Sequence, residues 1–203
     1  MTESTIVALL DAAEDRFAVD GISSASLRAV MRQAGVDPGA VHYHFKGRES
    51  LAEAVLDRVL VPLNDRRLEL LEHLGPSPTL PALVEALVRP DIDAATTLES
   101  RGAGRGRLMG AIYLEPERFV TELVQRRFVP VATAFQPHLA AALPQVPPDL
   151  LAWRVRWCVF GTLGAILADP DELGRRDPDE LASLVVSTLV PALAGPPNPG
   201  RTP

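Results

Sequence analysis

The chain reads as all-α, on three observations. Apolar residues return every three or four positions through most of its 203 residues, no segment alternates apolar and polar residues as a strand does, and no unit of roughly 20–50 residues repeats. A hydrophobic content of 47% over this length is enough for one well-packed domain plus a smaller one without disulfide staples.

The first helix is expected from about Ser4 to Val19. Ile6, Leu9 or Leu10, Ala13 and Phe17 make its apolar stripe, Glu14, Asp15 and Arg16 face water, and Asp20-Gly21 marks its end. The polar link SSAS offers Ser24 or Ser26 as the cap of a second helix. There Leu27, Val30, Met31 and Ala34 recur at helical spacing, Gly35 sits where the chain must turn, and Asp37-Pro38 can cap and start a third helix. Two short helices joined by a glycine turn, the second rich in aromatics and imidazoles, are the pattern of a helix-turn-helix. A helix about 10 Å across with its side chains fits a B-DNA major groove about 12 Å wide. Residues 1–47 therefore form a candidate nucleic-acid-binding head.

Past Lys46-Gly47, Arg48 to Leu74 reads as a helix about twice the usual length, with Leu51, Val55, Val59, Leu63, Leu70 and Leu74 near one face and Pro62 as an expected kink and pivot. Gly75 to Pro78 form a turn, and a helix from Leu80 to Val88 is expected to stop near Arg89-Pro90. The glycine-rich RGAGRGR, residues 101–107, follows no strand and lacks a following Lys-Ser/Thr, so it reads as a flexible linker and not a phosphate cradle. Helical patterns resume at Leu108–Leu114, Glu117 to about Ala142 with bends near Pro130 and Pro137, Asp149–Ala168 and Asp179–Leu193. Apolar residues from Leu150 to Leu167 surround their helix instead of forming a stripe, which asks for a partner chain. Residues 48–195 thus form the body, and the proline-rich tail, 196–203, is expected to be disordered.

The formal net charge of −6 is distributed unevenly. Between Ser26 and Arg48 the sign reverses, with Arg28, Arg32, Lys46 and Arg48 against Asp37. The single cysteine, Cys158, lies in an apolar run and reads as a buried thiol in a reducing compartment. The acidic N-terminus has no basic flank for a targeting signal, and the longest apolar runs are too short for a membrane span, so a cytoplasmic location is expected. Enzyme motifs are missing: there is no G-x-S-x-G, no histidine has a glutamate three residues before it, and His42 and His44 stand two apart on opposite helix faces. No catalytic residue, cofactor or metal is expected.

The segments FAVDG, LRAV, AGV, AVHYHF and KGRESL, between Phe17 and Leu60, stand in the order and spacing of the TetR family of bacterial one-component repressors, which the chain resembles. The resemblance implies an all-helical homodimer with a three-helix head, a larger ligand-binding body, and dimerisation through the last two long helices. It places Val41, His42, Tyr43 and His44 on or beside the recognition helix and gives Arg48 the family's phosphate-contacting position. Arg28, Asp37 and Lys46 complete the candidate DNA-binding set. Three positions depart from the pattern: Met31 replaces a small residue, Asp37 a capping serine, and His42 a tyrosine. Tyr43 is divided between core and phosphate roles, and each imidazole between groove contact and packing.

The stretches LVPLNDRRLELL, PERFVTELVQRRFVP and LLAWRVRWCVFGTL resemble a branch that includes fatty-acid-responsive repressors. By that likeness the effector is a small apolar molecule, a fatty acyl compound being one class. Met109, Tyr113, Phe119, Phe128, Trp153, Trp157 and Phe160 are candidates to line its cavity, each equally readable as plain core. Arg105, Arg107, Gln125 and His138 are candidate polar anchors, with a solvated surface as the simpler reading. The function expected is a ligand-responsive repressor binding a palindromic double-stranded DNA operator as a homodimer. The alternative is a dimeric small-molecule-binding protein without operator recognition.

Overall fold

The computed structural model describes residues 3–37, 45, 47–96, 102–168 and 176–195, of which 102–106, 114, 160, 163 and 165–168 are described in backbone only. These residues form eight helices and no strand: α1 (Glu3–Asp20), α2 (Leu27–Ala34), α3 (Arg48–His73), α4 (Leu80–Thr96), α5 (Gly102–Leu114), α6 (Arg118–Ala142), α7 (Pro148–Ala168) and α8 (Pro178–Ala194).

In the head, α1 buries Leu9, Ala13 and Phe17, the stripe expected from their spacing, and α2 buries Val30 and Met31. Ser26 is the N-cap of α2 through its backbone, its carbonyl accepting from Ala29 and Val30, with no side-chain cap bond. Gly35 ends the helix at φ 66°, where a β-carbon would be strained, and the Val36 amide closes back on the Met31 carbonyl at 3.0 Å. Glu14 departs from expectation. It is 8% exposed because Arg58 of α3 pairs with it at 3.2 Å and with Asp11 at 2.6 Å, binding α1 to the long helix.

The body is built around α3, which packs on α1 of the head and on α4 and α6. Two expectations are corrected. Helix α4 does not stop near Pro90 but continues to Thr96, and the segment from Gly102 is not a linker but the start of α5. Proline removes one helix hydrogen bond and loosens the turn before it. At Pro90 that loosened turn is stitched from outside: Arg67 of α3 donates from Nε to the Leu87 carbonyl at 2.8 Å. Pro130 in α6 shows the same arrangement, since Asn64, one turn from Arg67, donates to the Arg127 carbonyl at 2.8 Å. Neighbouring side chains on one helix thus hold two proline-interrupted helices. Bidentate pairing of Arg127 with Asp57 at 2.5 and 2.7 Å adds a second link between α3 and α6.

Helix α8 packs on α4 and α7. Asp177 caps it, accepting from Asp179 and Glu180 amides at 2.9 and 3.1 Å, with Pro178 opening the helix. At its other end the buried Arg154 of α7 donates to the Leu193 and Gly195 carbonyls at 2.7 Å each, satisfying acceptors that a helix C-terminus leaves open.

Candidate nucleic-acid interface and effector body

Arg28, Asp37 and Arg48 are all exposed on the head, as is Arg32. Arg28 and Arg32 stand one turn apart on α2, so both cations share one side of that helix. The α2 backbone leads through αL Gly35 toward the segment holding Val41, His42, Tyr43 and His44, which lies outside the described residues, as does Lys46. Arg48 opens α3 and donates from Nη1 to the Ser23 carbonyl, so its guanidinium is set beside the turn between α1 and α2. Met31, the bulky departure from the family pattern, is 5% exposed and belongs to the head's core.

The candidate effector residues separate into three groups. Met109 is buried in α5, and Tyr113 and Phe128 converge on a charged pair at the centre of the body. That pair is Arg67 and Asp91, 1% and 2% exposed, joined at 2.5 Å. Arg67 also donates to Asn64 Oδ1 at 2.8 Å, and its guanidinium lies 6.0 Å from the Phe128 ring centre. Burial, then the Asp91 carboxylate, raises the Tyr113 hydroxyl well above its ordinary pKa, with Arg67 opposing. Asp91 Oδ1 has no hydrogen-bond partner among the described residues.

Phe119 stands apart from this centre. It lines an open cleft of about 290 Å³ between the N-terminal turns of α3 and α6, together with Glu53, Glu122 and Arg126. Trp153 and Trp157 stand apart in the other direction, 55% and 56% exposed, one turn apart on the outer face of α7. Leu184 of α8 is 54% exposed. Within one chain the two indoles therefore line no interior cavity; their helix buries Leu151, Arg154 and Cys158 instead. The Phe160 side chain lies outside the described residues, as does that of Arg105. Arg107 and Gln125 are exposed and His138 half-buried.

The residues that sequence reasoning passed over are Asn64, Arg67, Asp91, Glu115 and Arg154, all buried and polar. Arg67 carried a readable signal, for it continues the Leu63, Leu70, Leu74 spacing and puts a charge on an apolar face. Glu115 carried none, standing in the break after α5.

Residues 9–55 match the family model described as bacterial regulatory proteins, tetR family, and residues 85–195 match that described as tetracyclin repressor-like, C-terminal domain. The chain belongs to the TetR family. Among curated TetR-type relatives, the HTH-type transcriptional regulator SrpR of Pseudomonas putida is 36% identical over 86 residues, covering 42% of this chain and 39% of that protein. TtgW of Pseudomonas putida, an HTH-type transcriptional regulator, is 35% identical over 80 residues, 39% of this chain and 58% of that protein. The likeness thus spans less than two thirds of either relative. A transcriptional regulator from Rhodococcus sp. Rha1 superposes with a TM-score of 0.68 at 18% identity, covering 97% of this chain and 100% of that one. NalD, the secondary repressor of the MexAB-OprM multidrug efflux pump in Pseudomonas aeruginosa, superposes at 0.61 with 23% identity, covering 94% and 95%. These structures share the TetR fold. No helix among the described residues is long and apolar enough to cross a membrane.

Proposed function

We propose that this TetR-family chain is a ligand-responsive repressor that acts as a homodimer on a palindromic DNA operator. The observation that carries the reading is the head: α2 ends at αL Gly35 with Arg28 and Arg32 exposed along it and Arg48 exposed beside the turn that precedes it, in a protein otherwise acidic. Residues 1–47 are the DNA-binding head and 48–195 the effector-binding and dimerising body. Val41 to His44 read base edges, and Lys46 and Arg48 supply backbone contacts, which give most of the salt-dependent affinity.

Dimerisation is supported by the outer faces of α7 and α8. Trp153, Trp157 and Leu184 place large apolar surface in water in the single chain, and burying one such side chain is worth roughly 1.5–3 kcal/mol. Two heads must then sit about 34–36 Å apart to enter successive major grooves. The effector is a small, largely apolar molecule held in the body near Met109, Tyr113 and Phe128; a fatty acyl compound is the class that the three body motifs favour. It acts by preferring the dimer whose heads are spaced wrongly for DNA. An electrophoretic mobility-shift titration with the gene's own upstream DNA tests this reading. It predicts preference for that DNA over an unrelated duplex at moderate salt, and equal affinity for both would favour a small-molecule-binding protein without operator recognition.

A further inference from the structure

The turn between α1 and α2 is gripped by the body. Gly21, at φ 79°, turns the chain after α1 so that the next two amides point to one place, and a pair of amides so aligned is a small anion-binding concavity. Glu115 fills it. Its Oε2 accepts from the Ile22 amide at 2.9 Å and the Ser23 amide at 3.0 Å, across more than ninety residues of sequence. Ile22 is fully buried and Glu115 is 8% exposed, so the contact is shielded from water. Arg48 holds the same turn from its other side through the Ser23 carbonyl. Glu115 directly follows α5, and α5 lies along α1.

We propose that Glu115 is a carboxylate pin that fixes the orientation of the head on the body, so that displacement of the C-terminal end of α5 is passed to the head through the Ile22 and Ser23 amides. Apolar packing of α1 on α5 resists separation but permits sliding; two charge-assisted hydrogen bonds fix direction as well. The Glu115 Oε1 atom is buried with no hydrogen-bond partner among the described residues, so the pinned state leaves half of the carboxylate uncompensated. That makes the pin releasable, since a small shift of α5 lets water solvate both oxygens. Glu115 is a positioning residue that acts through the Ile22 and Ser23 amides, and its importance to operator affinity rests on the function proposed above.

The test uses the full-length protein with Glu115→Ala and Glu115→Gln, read in three ways. Hydrogen exchange follows the Ile22 and Ser23 amides. Spin labels at Arg32→Cys in α2 and Ala140→Cys in α6, with Cys158→Ala, report the head-to-body distance in spin-diluted samples. Operator affinity is the third readout. Glu115→Ala is expected to speed exchange of both amides by about tenfold or more, broaden the distance distribution, and weaken operator binding by about tenfold. Glu115→Gln, which keeps an acceptor oxygen in place, restores all three most of the way. Should the alanine variant fail to fold, Glu115→Asp, whose oxygens are drawn back by one carbon, is expected to give the same faster exchange and broader distribution. Unchanged exchange, or an unchanged distance distribution in a folded variant, overturns the pin. If the unsubstituted protein binds no operator, the regulatory reading fails while exchange and distance still decide the pin.

Discussion

Replacing Asp91 by alanine strands a guanidinium in the centre of the body. Arg67 is 1% exposed and Asp91 2%, and the 2.5 Å contact between them is the one charge neutralising Arg67 in the described structure. After the change Arg67 keeps the Leu87 carbonyl and Asn64 Oδ1, two neutral acceptors, but no counter-charge. Breaking a buried pair from one side costs about 3–5 kcal/mol, against a total stability of roughly 5–15 kcal/mol for a folded domain. Urea unfolding at fixed protein concentration should show a midpoint lower by about 1–2 M. Removing both charges, with Arg67→Met and Asp91→Leu together, should recover all but about 1–3 kcal/mol, the remainder coming from Asn64 Oδ1 and the Leu87 carbonyl, which both lose their Arg67 donor. A loss under about 1 kcal/mol for Asp91→Ala would refute the reasoning, as would a double variant no more stable than the single one.

Other expectations follow from the head, the outer face and the lone thiol. Trp157→Glu puts a charge where the proposed dimer buries an indole; light scattering should show monomer at concentrations where the unsubstituted chain is a dimer, and operator binding should fall with it. Arg48→Ala should weaken binding to specific and unrelated DNA alike and reduce the slope of log affinity against log salt by about one; an unchanged slope removes Arg48 from the phosphate contacts. Cys158 is 1% exposed, and burial pushes its thiol up to about 11, with Arg154 opposing. Its reaction with an aromatic disulfide at pH 8 should therefore be limited by opening of the structure. The folded state also holds the thiol proton that the unfolded chain releases near pH 9, so this group's contribution to stability is complete below pH 9 and is lost as pH rises from about 9 toward 11. Cys158→Ala should flatten that decline, measurable as the pH dependence of the unfolding midpoint.

The helices were legible because their signal is local. Periodic apolar residues set α1, α3, α6, α7 and α8 within a few residues of their observed ends, and Gly35 marked its turn because only a residue without a β-carbon sits easily at φ 66°. What escaped was settled by distant partners. Pro90 reads as a stop because a proline breaks the ladder, and nothing within α4 discloses that Arg67, twenty residues before Leu87, donates to that carbonyl in the turn Pro90 interrupts. Glu14 reads as a water-facing acid until Arg58 is brought against it. The indoles of Trp153 and Trp157 read equally well as cavity lining or as an outer face, since periodicity says that a helix face is apolar but not what covers it. For the recognition segment, the residue types in AVHYHF carry the reading, and Val41 to His44 lie outside the described residues.

In the proposed regulator, paired heads read a symmetric DNA site. Nuclease footprinting of the full-length protein on its own upstream region tests it most directly. Paired heads should protect an inverted repeat whose half-sites are separated by one helical turn, about 34–36 Å, or a multiple of it, and scrambling either half-site should abolish the protection. Protection that is absent, or that spreads over any duplex without preference at moderate salt, would contradict it.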